Sequence, residues 1–151
     1  MHTNKNHDHW MRLALDQAQH AKQKNEVPVG AVVVLNNEII ATGYNQPISS
    51  HDPTAHAEII ALREAGLRLK NYRLLSATMY VTLEPCMMCY WAMVHARIDC
   101  CIFGASDRKV GVFTNKLTNH VHKNHTLEHK SGVLGDQCQS ILTDFFRSKR
   151  Q

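Results

Sequence analysis

The chain has 151 residues, of which 44% are hydrophobic and 20% are charged. This length and composition predict a single domain over residues 1–151 with one hydrophobic core, and they exclude collagen-like and disordered chains. The longest apolar runs are much shorter than the ~20 residues that a membrane-spanning helix needs. The first ten residues lack the apolar segment of a secretory signal. We therefore expect a soluble, cytoplasmic protein.

The net charge of +4 is unevenly distributed along the chain. Residues 1–103 carry nine basic and nine acidic side chains, whereas residues 104–151 carry eight basic and four acidic ones. Such an excess is typical of surfaces that bind polyanions, because phosphate contacts supply much of the affinity for nucleic acids. Charge alone fits an ordinary solvated surface at least as well.

The first half of the chain predicts a helix, a hairpin and a second helix. Apolar side chains recur with a helical period over residues 8–24. Two β-rich runs, 29–35 and 39–44, flank Asn36-Asn37, a pair that is typical of a two-residue hairpin turn. Asp52-Pro53 predicts the start of the second helix, because aspartate is a good N-cap and proline is favoured in the first turn.

The second half predicts further strands and helices that alternate. The predicted elements are strand 78–83, a helix opened by Pro85, strand 98–103, a strand within 126–133 and a helix over 136–150. In the last helix, Phe145 and Phe146 are expected to face the core. Alternating strands and helices predict the α/β class, as a three-layer α/β/α sandwich with a five-stranded mixed sheet and an antiparallel opening hairpin.

Two short motifs bring metal-binding side chains to the starts of predicted helices. They are His56-Ala57-Glu58 and Pro85-Cys86-Met87-Met88-Cys89. Cys86 and Cys89 share a helix face, and a helix N-terminus favours the thiolate that binds metal. One imidazole and two thiolates leave the fourth position of a tetrahedral zinc ion open to water, as in catalytic sites. Glu58 is then placed to move a proton.

The cysteines also leave other interpretations open. A Cys-x-x-Cys pair in a protein without a secretion signal occurs in redox sites and as half of a structural zinc site. A closed structural site would recruit a fourth ligand from His95, Cys100 or Cys101. Cys100 and Cys101 lie in an apolar strand, where core packing is the commoner role.

Several longer segments carry a resemblance that extends over nearly the whole chain. They are Val27–Val32, Asn45–Pro47, Asp52–Glu58, Tyr80–Cys86, His95–Ile98, Phe103–Ala105 and Asp144–Arg147. With these segments the chain resembles the cytidine-deaminase-like superfamily of zinc deaminases, and within it the bacterial tRNA-specific adenosine deaminases. The His-x-Glu and Pro-Cys-x-x-Cys motifs specify only the superfamily. The run from Asp52 to Glu58 and the Phe-Phe-Arg ending point to the tRNA branch.

The resemblance implies hydrolytic deamination of adenosine to inosine at the wobble position (34) of a tRNA anticodon. Zinc-bound hydroxide would attack C6 of the base while Glu58 shuttles the proton. One Zn²⁺ per subunit would be held by His56, Cys86 and Cys89, and the enzyme would be a homodimer. The implied substrate contacts are Asn45 to the flipped nucleoside, Val27 and Ala57 as pocket walls, Asp107 to a ribose 2′-OH, and Arg147, Lys149 and Arg150 to RNA phosphates. Without the resemblance, a turn residue at Asn45 and a surface carboxylate at Asp107 explain the sequence nearly as well.

Two places depart from the pattern of the family. Tyr90-Trp91 replaces two small residues after Cys89, and Val112–Asn115 replaces a loop of small residues. These changes leave the metal ligands intact and put the fit of the RNA in question. One alternative function is therefore a zinc-dependent deaminase of a free base or nucleoside (guanine, cytosine or cytidine), which has no use for a basic C-terminal face. Another is a zinc-stabilised module that binds RNA without catalysis.

Overall fold

The structure, a computed structural model, describes residues 3–119, 121 and 123–150. Its elements are α1 (Thr3–Gln23), β1 (Gly30–Leu35), β2 (Glu38–Tyr44), α2 (Pro47–Ser50), α3 (Ala57–Leu69), β3 (Thr78–Leu83), α4 (Met87–His95), β4 (Cys100–Ala105), β5 (Glu128–Lys130) and α5 (Gly135–Lys149). All the elements predicted from the sequence are present, and the short helix α2 is added to them. Within the described residues, no helix has the length and apolar character that crossing a bilayer requires.

The five strands form one mixed sheet in the order β2-β1-β3-β4-β5. β1 pairs antiparallel with both β2 and β3, whereas β3, β4 and β5 are parallel to one another. Asn36 and Asn37 join β1 to β2 with positive φ angles of 52° and 63°, the geometry of the hairpin turn that best matches strand twist. The predicted five-stranded mixed sheet and its antiparallel hairpin are thus confirmed.

Helices cover both faces of the sheet and complete the three layers. On one face, Ala14 of α1 and Cys138 of α5 belong to a buried cluster with alternate residues of the central strands. On the other face, Ala61 of α3 and Met93 of α4 join the larger buried cluster. Because side chains alternate along a strand, each central strand contributes to both clusters.

Two glycines let helices lie directly on the strands beneath them. A Cβ atom on Gly30 would lie 2.0 Å from the carbonyl oxygen of Ala14 in α1. One on Gly43 would lie 2.3 Å from the carbonyl oxygen of Ala57, the first residue of α3. Any side chain at Gly43 would therefore displace the N-terminus of α3.

Four strands bring loops to the same end of the sheet. The parallel strands β3 and β4 have their carboxyl ends there. β1 begins and β2 ends at the same place, because Gly30 pairs with Tyr44 and Ala31 pairs with Val81. In open α/β sheets, ligands bind outside the carboxyl ends of the parallel strands.

The two predicted helix starts at prolines are wrong by a few residues. The carboxylate of Asp52 accepts hydrogen bonds from the backbone N–H and the hydroxyl of Thr54, at 2.8 and 2.7 Å. This closes a local turn, so Asp52-Pro53 caps no helix, and α3 begins at Ala57. Likewise, α4 begins two residues after Pro85.

In the last helix, α5, the burial of one side chain differs from the prediction. Phe145 is buried as expected, but Phe146 is 45% exposed. Adjacent helix positions are about 100° apart, so the face that buries Phe145 turns Phe146 towards solvent.

Candidate active site

Three side chains that can bind a metal ion meet at the N-termini of α3 and α4. His56 is the N-cap residue of α3 and Cys86 is that of α4, and both have extended backbone conformations. Cys89 lies in the first turn of α4. Nδ1 of His56 lies 3.6 Å from Sγ of Cys86 and 3.4 Å from Sγ of Cys89.

These distances fit ligands around one tetrahedral ion. Zinc binds sulfur at about 2.3 Å and histidine nitrogen at about 2.0–2.1 Å, which places the two ligand atoms about 3.6 Å apart at a tetrahedral angle. All three ligand atoms lie within 4.8 Å of one another, and no fourth histidine, cysteine or carboxylate of the described residues joins the group. The alternatives His95, Cys100 and Cys101 are thus outside it. The cluster is compatible with a zinc site that has three protein ligands.

Hydrogen bonds among His56, Cys86 and Cys89 shift the pKa values of all three side chains. Hydrogen bonds from the Cys89 thiol, from His56 and from the backbone N–H of Cys89 lower the pKa of Cys86 to about 4, against the effect of burial. The hydrogen bond to Cys86 raises the pKa of His56. The hydrogen bond that the Cys89 thiol donates to Cys86, together with burial, raises the pKa of Cys89. Cys86 is therefore a thiolate at neutral pH, whereas Cys89 must lose a proton when it binds a metal ion.

Glu58 is a buried carboxyl group beside this cluster. It lies in the first turn of α3 and is 4% exposed. Burial raises the pKa of Glu58 to about 7, and the negative charge of Cys86 acts in the same direction. A carboxyl group that titrates near neutral pH can both accept a proton and return it.

A cavity of about 180 Å³ opens beside His56, Glu58 and Cys86. The rest of its lining is formed by Val27, Val29, Asn45, Leu83, Glu84, Asp107 and Val110. The structure therefore brings Val27, Asn45 and Asp107 to the metal-binding cluster. It does not bring Ala57 to the cavity wall: this residue is fully buried because its backbone packs on Gly43 of β2.

Two further buried carboxylates support the segments around the cavity, and neither is predicted from the sequence to have a role. Glu26 is 1% exposed and accepts hydrogen bonds from two backbone N–H groups of α2. Glu84 is 3% exposed and accepts three from the loop after β4. In the sequence, each of these glutamates lies directly beside an apolar run. A carboxylate in that position is expected to be buried and to need hydrogen-bond donors around it.

A wider cleft of about 870 Å³ adjoins the cavity and shares Val27, Leu83 and Asp107 with it. The rest of its lining is Ser106, Arg108, Lys109, Gln139, Leu142, Thr143, Phe146 and Arg150. The cleft therefore carries three cationic side chains and one half-exposed aromatic ring.

Only one of the three basic residues singled out in the C-terminal helix lines this cleft, namely Arg150. The guanidinium of Arg147 lies 3.7 Å from the carboxylate of Asp144. The ammonium group of Lys149 binds the side chain of Asn25 and lies over the ring of Phe145. Conversely, Arg108 and Lys109 line the cleft, although neither is predicted from the sequence to contact RNA.

The two departures from the family pattern meet in the structure. Tyr90 is 2% exposed, and its ring packs edge-on against Phe113 at a centroid distance of 5.8 Å. Phe113 also stacks on Phe103 at 5.7 Å and on His129 at 3.8 Å. The large side chain at position 90 and the large one at position 113 thus fill one aromatic cluster together. Tyr90 belongs to the core and does not line the cavity.

Comparisons with known proteins agree with this geometry. Residues 5–150 match the model of the MafB19-like deaminase family. The chain is 49% identical over 144 residues to a tRNA-specific adenosine deaminase of Buchnera aphidicola subsp. Schizaphis graminum, covering 94% of this chain and 95% of the relative. It is also 49% identical to that of Haemophilus influenzae, over 93% of this chain and 83% of the relative.

A solved structure from a study of A-to-I editing by tRNA:A34 deaminases superposes with a TM-score of 0.85. It is 40% identical in sequence, and the match covers 89% of this chain and 99% of that one. Its fold therefore agrees with the three-layer architecture described above. The chain belongs to the MafB19-like deaminase family and to the family of tRNA-specific adenosine deaminases.

Proposed function

We propose that this chain hydrolyses adenosine to inosine at the wobble position (34) of a tRNA anticodon, as one deaminase domain acting in the cytoplasm. The observation that carries the assignment is the small cavity in which buried Glu58 adjoins a His-Cys-Cys cluster and from which a cationic cleft leads away. Family membership supplies the substrate class. The bases of an anticodon loop are already unpaired, so one of them can enter such a cavity at low cost.

His56, Cys86 and Cys89 are the proposed ligands of one Zn²⁺ ion. Two sulfurs and one imidazole nitrogen at tetrahedral spacing are a donor set typical of zinc. When bound, zinc supplies a Lewis acid that lowers the pKa of a water molecule to about 7. Three protein ligands would hold the ion, the number that is typical of catalytic zinc sites.

Glu58 is the proposed proton carrier of the reaction. Hydrolysis adds water at C6 of adenine and releases the 6-amino group as ammonia, so the two protons of the attacking water must pass to ring atom N1 and to the departing nitrogen. Burial gives Glu58 a pKa of about 7, which allows both proton transfers at neutral pH. Its position beside Cys86 and Cys89 keeps it next to the metal-binding cluster.

The remaining lining residues are proposed to hold the nucleoside. The amide of Asn45 offers both a donor and an acceptor to the base or ribose, and Val27 and Leu83 provide apolar walls. Oδ1 of Asp107 accepts hydrogen bonds within its own turn. Its other carboxylate oxygen is the one we assign to a ribose 2′-OH.

We expect Glu58→Gln to lower the rate of deamination by about 10²–10⁴-fold, because the amide cannot carry the proton. The variant is nearly isosteric, so zinc content and thermal stability should match those of the wild type. The assay is inosine formation in an anticodon stem-loop, with metal content measured on the same preparation. Wild-type-like turnover by Glu58→Gln would refute the role of Glu58.

Zinc affinity is expected to fall at least tenfold for each unit by which pH is lowered between 8 and 6. The pKa of Cys89 is raised, so its proton must be displaced on binding, and protonation of His56 steepens the dependence at the acidic end. Competition with a chromophoric chelator at three pH values measures this slope. Cys100→Ser, outside the cluster, should retain wild-type affinity, and removal of zinc should abolish inosine formation in total tRNA. A pH-independent affinity would contradict the proposed ligands.

The adjoining cleft is proposed to bind the anticodon stem-loop. Arg108, Lys109 and Arg150 are placed to contact phosphates, and the half-exposed ring of Phe146 offers a surface for an unpaired base. A deaminase of free guanine, cytosine or cytidine would have no use for three cations beside its pocket. Turnover of those free compounds with none of a stem-loop would favour that alternative.

We expect replacement of Arg108 and Lys109 by alanine to weaken RNA binding and to flatten its salt dependence. Each lost phosphate contact should reduce the slope of log affinity against log salt by about 1. Lys22→Ala, which removes an exposed cation of α1 outside the cleft, is the matched control and should leave the slope unchanged. Equal slopes for all three proteins would exclude the cleft as the RNA site.

A second copy of this chain is the proposed occupant of an apolar groove between α3 and α4. Ile59, Leu62 and Ala92 line it, and Leu67 and Tyr72 are 80% and 68% exposed at its edge. Contiguous apolar surface of this kind marks protein interfaces. The resemblance to the family independently implies a homodimer.

Leu67→Glu is expected to shift the protein from dimer to monomer in sedimentation equilibrium, because it buries a charge in the proposed interface. Leu75→Glu changes another exposed leucine that does not line the groove, and it should leave the mass unchanged. A monomeric wild type, or dimers of both variants, would refute this interface.

A further inference from the structure

Glu84 holds the loop after β4 through both of its carboxylate oxygens. Oε1 accepts hydrogen bonds from the backbone N–H of Asp107 at 2.9 Å and from the hydroxyl of Thr114 at 2.6 Å. Oε2 accepts from the backbone N–H groups of Phe113 and Thr114 at 2.8 and 2.7 Å. One buried side chain at the end of β3 therefore fixes both ends of the segment 107–114.

The segment packs directly against this carboxylate, with no space for a side chain between them. A Cβ atom on Gly111 would lie 2.4 Å from Cδ of Glu84 and equally close to the carbonyl oxygen of Asp107. That carbonyl accepts a hydrogen bond from the Gly111 N–H at 3.0 Å. Oδ1 of Asp107 accepts two more, from Lys109 and Val110. Asp107 is thus fixed at its N–H by Glu84 and at its side chain by its own turn.

We propose that Glu84 is a positioning residue for RNA recognition: it sets the carboxylate of Asp107 against the ribose of the nucleotide in the cavity. The inference rests on the proposed function, in which Asp107 binds a 2′-OH group. Glu84 and Asp107 both line the cavity that holds Glu58. Glu84 also lies two residues before Cys86, so it connects the strand that leads to the metal ligands with the loop that leads to the ribose contact.

The choice of a carboxylate at this position has a physical reason. All four groups that face Glu84 are donors, and a carboxylate is an acceptor at both oxygens. A glutamine amide has only one acceptor atom, which the two N–H groups of Phe113 and Thr114 would occupy. Its NH₂ group would then face the Thr114 hydroxyl and the Asp107 N–H. The hydroxyl can rotate and accept a hydrogen bond from the NH₂ group, whereas the Asp107 N–H can only donate and loses its partner. Glu84→Gln therefore releases Asp107 selectively.

The test measures how each protein responds to loss of one 2′-OH group. Anticodon stem-loops that carry a single 2′-deoxynucleotide, placed at each loop position in turn, are compared with the unmodified RNA. For the wild type we expect kcat/KM to fall about tenfold at one position, through KM. For Asp107→Ala and for Glu84→Gln that penalty should disappear, because the acceptor is removed or misplaced, while zinc content stays at the wild-type value.

Thr114→Val is the matched control. It removes one hydrogen bond from Oε1 of Glu84 but leaves the bond from the Asp107 N–H, so the 2′-deoxy penalty should remain at the wild-type level. A full penalty in Glu84→Gln, or a penalty lost equally in Thr114→Val, would overturn the positioning role. If Glu84→Gln does not fold, Gly111→Ala tests the same contact from the loop side, and an unchanged penalty in that variant would overturn it too.

The same experiment distinguishes failure of the proposed function from failure of the inference about Glu84. Wild-type protein that forms no inosine in any stem-loop would refute the deaminase assignment and the inference with it. Active wild-type protein with no 2′-deoxy penalty at any position would refute the role of Asp107, and with it that of Glu84, while leaving the deaminase assignment in place.

Discussion

The approach of two helix N-termini is the contact on which the rest of the site depends. The N-termini of α3 and α4 both carry N–H groups without partners inside the helix and a partial positive charge, which oppose close contact. The thiolate of Cys86 lies between them, with a pKa lowered to about 4, and it offsets that repulsion. The sheet sets the spacing, because α3 rests on Gly43 of β2 and α4 follows directly from β3. The metal-binding cluster is therefore a consequence of how two helices pack on neighbouring strands.

The sequence predicted the sheet and the metal-binding cluster well, because both depend on strong local patterns. Apolar runs bounded by turn residues located the strands, and the residue types of His56, Cys86 and Cys89 indicated their chemistry. The start of α3 was missed for a physical reason. Aspartate does favour helix N-caps, but the carboxylate of Asp52 accepts its hydrogen bonds from Thr54, within a local turn. Local preference therefore predicted that Asp52 binds a nearby N–H, and the fold determined which one.

The basic residues that face the cleft could not be chosen from the sequence, because that choice depends on contacts between distant segments. Lys149 turns towards Asn25, more than a hundred residues earlier in the chain, and Arg147 pairs with Asp144. Arg108 lines the cleft because it lies in the loop after β4, which Glu84 holds through the backbone N–H of Asp107. Tyr90 and Phe113 illustrate the same limit: each alone looked like a disturbance of the substrate site, but together they pack as core. Such compensation is visible only once both positions are placed.

Three acidic side chains are buried among the residues that the structure describes: Glu58 and Glu84 line the cavity, and Glu26 directly precedes Val27, which also lines it. Their roles differ because their surroundings differ in the number of donors. Glu26 and Glu84 each use both oxygens to accept backbone N–H groups, Glu26 from α2 and Glu84 from the loop after β4, and they thereby hold these segments in place. Glu58 is equally deep, but its own backbone N–H and a cysteine sulfur are its hydrogen-bond partners, and burial raises its pKa to about 7. The same residue type thus becomes a loop anchor where donors surround it and a proton carrier where they are scarce.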